Sequence, residues 1–136
     1  MKKIYNILAV DDVEDWLIFY NKLLTNVFNE GEYKYSFEYS AKAGQNTALK
    51  QQNYDLIISD LEMEHISDEV CAGEWMLSNL VNEEGFKNTK FIIISARYDI
   101  DRIAKNLNVD YIPKHLLLNS PVIFNYKISE ALNLIE

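Results

Sequence analysis

The sequence has few of the residues that mark fibrous, disulfide-bonded or low-complexity chains. Its 136 residues include one cysteine, two prolines and four glycines. The single cysteine, Cys71, excludes an intramolecular disulfide and agrees with a reducing compartment. So little glycine and proline excludes collagen-like and low-complexity chains. A chain of this length can bury enough surface to fold without a metal ion or a disulfide bond. The length is also typical of one domain, so we expect residues 1–136 to form a single domain.

Basic residues and long apolar runs are also scarce. The chain has 13 lysine and arginine residues against 21 aspartate and glutamate residues, a formal net charge of −8 at pH 7. An acidic surface repels the phosphates of nucleic acids, so direct nucleic-acid binding is not expected. The apolar run at residues 4–10 contains Asn6 and stops at two aspartates, and no run reaches the length of a membrane span. We therefore expect a cytoplasmic protein that does not contact membranes.

What the sequence does have is an alternation of short apolar runs and amphipathic stretches. Three runs are mostly or wholly apolar, as buried strands are: residues 4–10, 56–58 and 91–94; residues 109–112 are predicted to form a last strand. Residues 33–39 alternate aromatic and polar side chains, which predicts a strand with one polar face. Apolar residues three or four positions apart predict helices between and after these strands: residues 13–28, 45–52, 76–84, 100–107 and 121–135. Gly31 is predicted to stop the first helix and Ser120 to cap the last.

Five successive β-α units predict an α/β fold in which helices cover both faces of a parallel sheet. Right-handed crossovers between the strands favour a doubly wound sandwich. The second strand has a polar face, and Pro113 closes the fifth strand without an N–H for sheet pairing, so both strands suit the sheet edges. A flavodoxin-like (βα)5 sandwich with the strand order 2-1-3-4-5 meets both conditions.

Polar side chains follow the strands at the edge where such sheets bind ligands. Asp11 and Asp12 follow the first strand, Asp60 the third, Ser95 the fourth, and Lys114 the fifth. Three carboxylates close together raise one another's pKa or need a cation, and oxygen ligands suit Mg²⁺. A lysine and a hydroxyl opposite such an ion suit a phosphoryl group, which an aspartate can accept as a nucleophile.

Four segments, taken in order, resemble the receiver domain of bacterial two-component response regulators over essentially the whole chain. They are ILAVDD at residues 7–12, YDLIISD at 54–60, FIIISA at 91–96 and DYIPK at 110–114. The resemblance implies that Asp60 accepts phosphate from a phosphohistidine of a histidine kinase or a histidine phosphotransfer protein. The protein would catalyse its own phosphorylation and would not be a turnover enzyme.

The resemblance also implies a metal site. Asp12, Asp60 and the main-chain carbonyl of Glu62 would bind Mg²⁺ directly, with Mn²⁺ as an alternative ion. Asp11 would assist through a water molecule. These assignments follow from the family pattern and not from the spacing of the acids alone.

The remaining assignments implied by the resemblance concern the switch. Lys114 would contact the phosphoryl oxygens, and Ser95 would follow the phosphate inward. Tyr111 lies three residues before the lysine, at the aromatic switch position of the family. A phosphorylated receiver without an output domain would act on an unknown downstream protein, or would form a homodimer that depends on phosphorylation.

Two further residues flank the phosphorylated aspartate in the family pattern. Glu62 and Arg97 would lie beside the path of the water that hydrolyses the aspartyl phosphate. An ion pair between them would exclude that water. We therefore expect self-dephosphorylation to be slow.

The sequence departs from the family pattern at three places. Glu64 stands where the family usually has proline, and Gly73 follows Asp60 by thirteen residues, a longer gap than usual. Both departures predict a remodelled loop beside the site. Pro113 precedes Lys114 and His115 follows it, whereas the family usually has the proline after the lysine. The reach of the lysine depends on how this loop folds.

Within the remodelled loop, His65 lies among acids and raises the alternative of a second metal site. We expect instead that Ser67 caps an early helical turn. Trp16, Trp75 and Cys71 are expected to be packing residues.

Three other functions remain open from the sequence. A receiver-like interaction module that works without phosphate is favoured by the position of Pro113. A Mg²⁺-dependent phosphohydrolase usually carries a second acid two residues after its nucleophile on the first strand, where this chain has Val13. A flavin nucleotide binder needs glycine, serine or threonine in the first loop, where this chain has carboxylates.

Overall fold

The computed structural model describes residues 3–134, which form a five-stranded parallel sheet in the order β2-β1-β3-β4-β5. This order and the α/β class confirm the predicted fold. The strands are β1 (Tyr5–Val10), β2 (Tyr33–Glu38), β3 (Leu56–Ser59), β4 (Lys90–Ser95) and β5 (Asp110–Pro113). Each strand agrees with its predicted range to within one residue at either end.

Helices cover both faces of the sheet. Within residues 3–134 they are α1 (Glu14–Leu24), α2 (Ala41–Gln51), α3 (Ala72–Leu80), α4 (Ile100–Leu107), α5 (Lys114–Asn119) and α6 (Val122–Ala131), with a 3-10 turn at Glu84–Phe86. None of these helices is both long and apolar enough to cross a lipid bilayer.

The central strands are apolar on both sides because each side faces a layer of helices. Along β1, Leu8 and Val10 pack with α2, α3 and α4, whereas Ile7 and Ala9 pack with α1, α5 and α6. This alternation follows from the two-residue period of a strand. Two separate apolar clusters result, one on each face of the sheet, and the sheet ends between them remain available for polar groups.

The observed helices differ from the predicted ones mainly at their ends. The first helix ends at Leu24, before the predicted end at Phe28, although Phe28 is buried. Gly31 follows with a φ of 83°, a conformation that favours glycine. The second helix begins at Ala41 and not at residue 45, because the Ser40 hydroxyl accepts a hydrogen bond from the Ala43 amide (3.1 Å) and caps the helix. The helix predicted over residues 76–84 is α3, which ends at Leu80.

The chain after β5 contains two helices where the sequence pattern predicted one. The short helix α5 begins directly at Lys114 and ends before Ser120, whose φ and ψ are −142° and 73°. A residue before proline is disfavoured in the helical conformation, so Pro121 ends α5 at this point. Ser120 makes no side-chain cap for α6, contrary to the prediction. The predicted last apolar position, Ile135, lies outside the described residues.

Candidate functional site

The carboxyl ends of the strands bring the predicted polar residues together at one edge of the sheet. Parallel pairing sets Val10 opposite Ser59 and Ser95 opposite Pro113, so the residues that follow these strands lie side by side. Carboxylate oxygens of Asp11, Asp12 and Asp60 all lie within 4.8 Å of one another. They form the only cluster of metal-ligating side chains found within residues 3–134.

Asp60 lies at the centre of this edge and is only 5% exposed. Its Oδ1 accepts a hydrogen bond from the Leu61 amide (2.6 Å), and its Oδ2 accepts one from Lys114 Nζ (2.9 Å). The backbone amide of Asp60 donates to the Val10 carbonyl (2.9 Å). The carboxylate is therefore fixed by the Leu61 amide and by Lys114, and its backbone is fixed by the hydrogen bond to β1.

Gly73, at the start of α3, allows the helix to lie against the backbone of Asp60. A Cβ atom at this position would stand 2.0 Å from the Asp60 carbonyl oxygen and 2.6 Å from the Leu61 Cα. The Gly73 amide also donates to the Leu61 carbonyl (2.9 Å). No other residue type fits here without moving the backbone that carries Asp60.

Asp11 is fully buried, whereas Asp12 is exposed. The Oδ1 of Asp11 accepts a hydrogen bond from the Val13 amide (3.0 Å), and its Oδ2 accepts one from the Tyr20 hydroxyl (2.9 Å) and lies 3.0 Å from Lys114 Nζ. Burial raises the pKa of Asp11 above its usual value and repulsion from Asp60 adds to the rise, although the Val13 amide and the charge of Lys114 oppose it. Among the described residues Asp12 has no hydrogen bond or ion pair.

Lys114 joins the two buried carboxylates. Its Nζ lies 2.9 Å from Asp60 Oδ2 and 3.0 Å from Asp11 Oδ2, and only 8% of the residue is exposed. The ammonium also lies over the ring of Trp16, 4.7 Å from the ring centroid. Pro113, with a φ of −63°, precedes the first turn of α5, and Lys114 begins that helix. The lysine therefore reaches the acids although the proline stands before it.

The predicted switch residues lie on the β4–β5 side of the site. Ser95 is buried, and its Oγ accepts a hydrogen bond from the Arg97 amide (3.2 Å). Tyr111 is half-buried against the cluster that packs with α2, α3 and α4. Ser95, Tyr111 and His115 share the lining of a cavity of about 280 Å³.

Comparison with solved structures shows which proteins share the fold of this chain. No family model and no curated protein matches the chain. Among solved structures, the signal receiver domain of the DNA-binding response regulator protein (merR) from Colwellia psychrerythraea 34H is 16% identical, with a TM-score of 0.75, and the match covers 95% of this chain and 98% of that chain. The phosphorylated cyanobacterial phytochrome response regulator RcpA is 16% identical, with a TM-score of 0.74, over 98% and 97% of the two chains. The Mn²⁺-bound form of the response regulator Rcp1 is 16% identical, with a TM-score of 0.67, over 97% of each.

The chain has the receiver-domain fold. Each match covers almost the full length of both chains. The predicted resemblance is confirmed at the level of the fold.

Within the receiver fold, Arg97 is paired with Asp99 and not with Glu62. The guanidinium donates two hydrogen bonds to Asp99 (2.8 and 3.0 Å), which also accepts one from Arg102 (2.8 Å). The Arg97 hydrogen bond outweighs the effect of burial and, with that of Arg102, lowers the pKa of Asp99 to about 2. Asp99 is buried and only two residues away, so it pairs with the arginine in preference to the exposed Glu62. The expected Glu62–Arg97 ion pair is therefore absent from the described residues.

The remodelled loop at residues 61–71 is attached to α2 through Glu64. The Glu64 carboxylate accepts hydrogen bonds from the backbone amides of Ala41 (2.8 Å) and Lys42 (2.9 Å), the first two residues of α2. Partial burial alone would raise the pKa of Glu64, but these amide hydrogen bonds lower it below its usual value. The residue that replaces the usual proline of receivers thus acts as a cap for a neighbouring helix.

The rest of this loop does not form the predicted helical turn. Ser67 Oγ accepts hydrogen bonds from the Glu69 amide (3.3 Å) and the Val70 amide (3.1 Å), but the helix begins only at Ala72. His65 Nε2 lies 3.0 Å from Asp68 Oδ1, and both side chains are exposed. His65 is not part of the metal-ligating cluster, so the structure gives no support to a second metal site there.

Two site residues, Trp16 and Tyr20, were not predicted as such from the sequence. The helical period of α1 places both on its apolar stripe, which indicates packing and does not reveal the Lys114 and Asp11 partners. One signal was available for Tyr20, since a tyrosine hydroxyl in a buried stripe needs a hydrogen-bond partner.

Proposed function

We propose that this chain is a phosphoacceptor switch in which Asp60 takes a phosphoryl group from a phosphohistidine of a histidine kinase or a histidine phosphotransfer protein. The observation that carries the proposal is the position of Lys114, which contacts Asp60 at the edge where three aspartates meet. The receiver fold supports it, because this edge is where such sheets bind their ligands.

The donor set fits Mg²⁺, or Mn²⁺ in its place. Carboxylate oxygens are the ligands such hard ions prefer, and Asp12 offers an exposed carboxylate close to Asp60. Both oxygens of Asp11 already accept hydrogen bonds, so this residue suits an indirect role through water. We assign the main-chain carbonyl of Glu62 as the third direct ligand from the family pattern. When bound, the ion would neutralise charge on the phosphoryl oxygens.

The residues of this chain then have separable roles in the transfer. An oxygen of Asp60 forms the new bond to phosphorus while the bond between phosphorus and the donor histidine breaks, and the imidazole leaves with that electron pair. The Lys114 ammonium moves from the Asp60 carboxylate to the phosphoryl oxygens and remains charged throughout. The burial of Asp60 and Lys114 strengthens these interactions by excluding water.

The first test is stoichiometric phosphorylation with acetyl phosphate and Mg²⁺, followed by mass spectrometry. We expect the wild-type protein to gain one phosphoryl group and Asp60→Asn to gain none. Asp68→Asn removes an exposed carboxylate outside the site and should behave like wild type. A wild-type protein that neither gains phosphate nor binds BeF₃⁻ would contradict the proposal and favour an interaction module that works without phosphate. Sustained turnover of acetyl phosphate would favour a phosphohydrolase.

The switch would run through Ser95 and Tyr111. Phosphate on Asp60 would attract the Ser95 hydroxyl, and Tyr111 borders the same cavity, so its packing would change. We expect BeF₃⁻ with Mg²⁺ to change amide hydrogen exchange across residues 97–118. Unchanged exchange there, in a sample that has bound BeF₃⁻, would contradict the switch. A downstream protein, or a homodimer, would recognise the changed face.

The lifetime of the phosphorylated state is the third part of the proposal. Glu62 and Arg97 line the same cavity of about 380 Å³ at residues 62–74, although they are not paired. We propose that they hinder the hydrolytic water independently and keep self-dephosphorylation slow. Glu62→Ala and Arg97→Ala should each speed the decay of phosphorylated Asp60, and the double variant measures how far the two residues act together. If both variants decay at or below the wild-type rate, these residues do not control lifetime.

A further inference from the structure

Lys114 has a third partner besides its two carboxylates. Its Nζ lies 4.7 Å from the centroid of the Trp16 ring, within the range of a cation–π interaction. The residue is 8% exposed, so little water screens this contact. An ammonium group has three N–H bonds, and here Asp60, Asp11 and the indole face surround it. The position of the ammonium is therefore fixed from three directions.

Trp16 is itself held by Tyr20, one helical turn further along α1. The two rings are 6.0 Å apart with an interplanar angle of 34°. The Tyr20 side chain is fully buried, and its hydroxyl donates to Asp11 Oδ2 (2.9 Å), the same oxygen that lies 3.0 Å from Lys114 Nζ. The aromatic pair of α1 thus contacts both members of the Lys114–Asp11 ion pair.

We propose that Trp16 and Tyr20 are positioning residues that hold Lys114 and Asp11 in the geometry needed for phosphoryl transfer to Asp60. This inference rests on the proposed function. Without the indole face, the lysine has only the two carboxylates to hold it. Without the Tyr20 hydroxyl, Asp11 Oδ2 has only Lys114 as a partner and draws it away from Asp60.

Matched substitutions separate this role from simple packing. Trp16→Phe keeps an aromatic face, Trp16→Leu keeps apolar bulk without one, and Tyr20→Phe removes only a hydroxyl. We expect Trp16→Leu to slow phosphorylation of Asp60 by acetyl phosphate roughly threefold to thirtyfold, the span from an exposed to a desolvated cation–π contact, and Trp16→Phe to retain most of the rate. Tyr20→Phe should slow it roughly threefold or more, since its hydroxyl binds a charged group. Trp75→Phe should leave the rate unchanged.

A spectroscopic measurement tests the contact without depending on phosphorylation. The chain has two tryptophans, so Trp75→Phe leaves Trp16 as the sole indole fluorophore. Adding Lys114→Met to this background removes the ammonium above the ring and should change the intensity and wavelength of Trp16 emission. Adding Lys114→Arg keeps a cation and should preserve more of the original spectrum.

The outcomes distinguish this inference from the proposed function. If wild type is not phosphorylated, the proposed function fails, and with it the role in transfer, whereas the emission spectra still decide whether the contact exists. If wild type is phosphorylated, equal rates in Trp16→Phe and Trp16→Leu, or a wild-type rate in Tyr20→Phe, overturn the inference. Identical Trp16 spectra with lysine and methionine at position 114 also overturn it. Should Trp16→Leu fail to fold, the Tyr20→Phe rate and the spectra suffice.

Discussion

Gly73 is the residue whose replacement would disturb Asp60 most directly. The start of α3 approaches the peptide unit of Asp60 so closely that only a hydrogen atom fits between them. Asp60 and Leu61 are also held by backbone hydrogen bonds to β1 and to Gly73. The position of the carboxylate is therefore determined by main-chain packing as well as by its side-chain partners.

We expect Gly73→Ala to lower the free energy of unfolding by about 1–3 kcal/mol, the usual cost of forcing a methyl group into a packed site. Phosphorylation of Asp60 should also slow, because relief of the clash moves the Asp60 backbone. Urea unfolding and the acetyl phosphate assay measure the two effects. Gly85→Ala is the matched control, since its added methyl meets only the end of the exposed Gln52 side chain. Equal stabilities of the two variants would contradict the argument.

At the scale of elements, the strands and their polar ends could be predicted from the sequence, and the loops and helix ends could not. Apolar runs such as Phe91–Ile94 mark buried strands directly, and residues after such runs in a parallel sheet must share an edge. The α2 start at Ala41 was missed because the prediction followed the apolar period alone and did not use the cap signal of Ser40, whereas the contact with Glu64 joins residues far apart in the sequence. The choice of Arg97 for its close sequence neighbour Asp99, and not for Glu62, depends on side-chain geometry that a linear pattern does not contain.

Glu64 joins two elements that are separated along the chain. It attaches the loop after Asp60 to the amino end of α2, where unpaired backbone amides and the helix dipole favour a negative charge. A proline at this position could not supply such a cap. The longer loop of this chain is therefore anchored, although residues 61–71 contain no helix.

We expect Glu64→Gln to lower the free energy of unfolding by about 0.3–1 kcal/mol at neutral pH, the usual value of a negative charge at a helix N-terminus, since glutamine keeps one oxygen that can accept a hydrogen bond. Because the pKa of Glu64 is lowered in the folded protein, its contribution is present above its unfolded-state pKa and is lost as the pH falls through the folded-state pKa. Stability measured between neutral pH and about pH 3 should therefore fall less steeply in Glu64→Gln. Glu69→Gln, an exposed change in the same loop, should keep the wild-type slope. Parallel slopes for all three proteins would exclude the cap.

On the scale of the whole molecule, Asp11, Asp12 and Asp60 add local repulsion at one edge of the sheet to a chain that already carries a net charge of −8. Lys114 offsets part of this repulsion through Asp11 and Asp60, but Asp12 has no such partner within residues 3–134. A divalent cation that binds only the folded protein would supply the missing charge and stabilise the fold.

We expect the melting temperature to rise with Mg²⁺, since an ion at a hundredfold excess over its Kd stabilises the folded state by about 2.7 kcal/mol. Asp12→Asn should abolish the rise. Asp101→Asn, which removes an exposed acid from α4, should leave it intact. Thermal melts at several Mg²⁺ concentrations, at constant ionic strength, provide the measurement. A wild-type melting temperature that does not respond to millimolar Mg²⁺ would count against the metal site.

The short length of α5 bears on how Lys114 leaves the carboxylates of Asp11 and Asp60. The helix has six residues, carries Lys114 in its first turn and is separated from α6 by Pro121. So short a helix has few internal hydrogen bonds, so it depends on tertiary contacts, such as those of the buried Leu117, to stay closed. Each opening would withdraw the ammonium and leave two buried carboxylates facing each other without a counter-charge. Opening of this helix would therefore be one route, besides movement of the lysine side chain itself, by which the acids exchange the lysine for another cation.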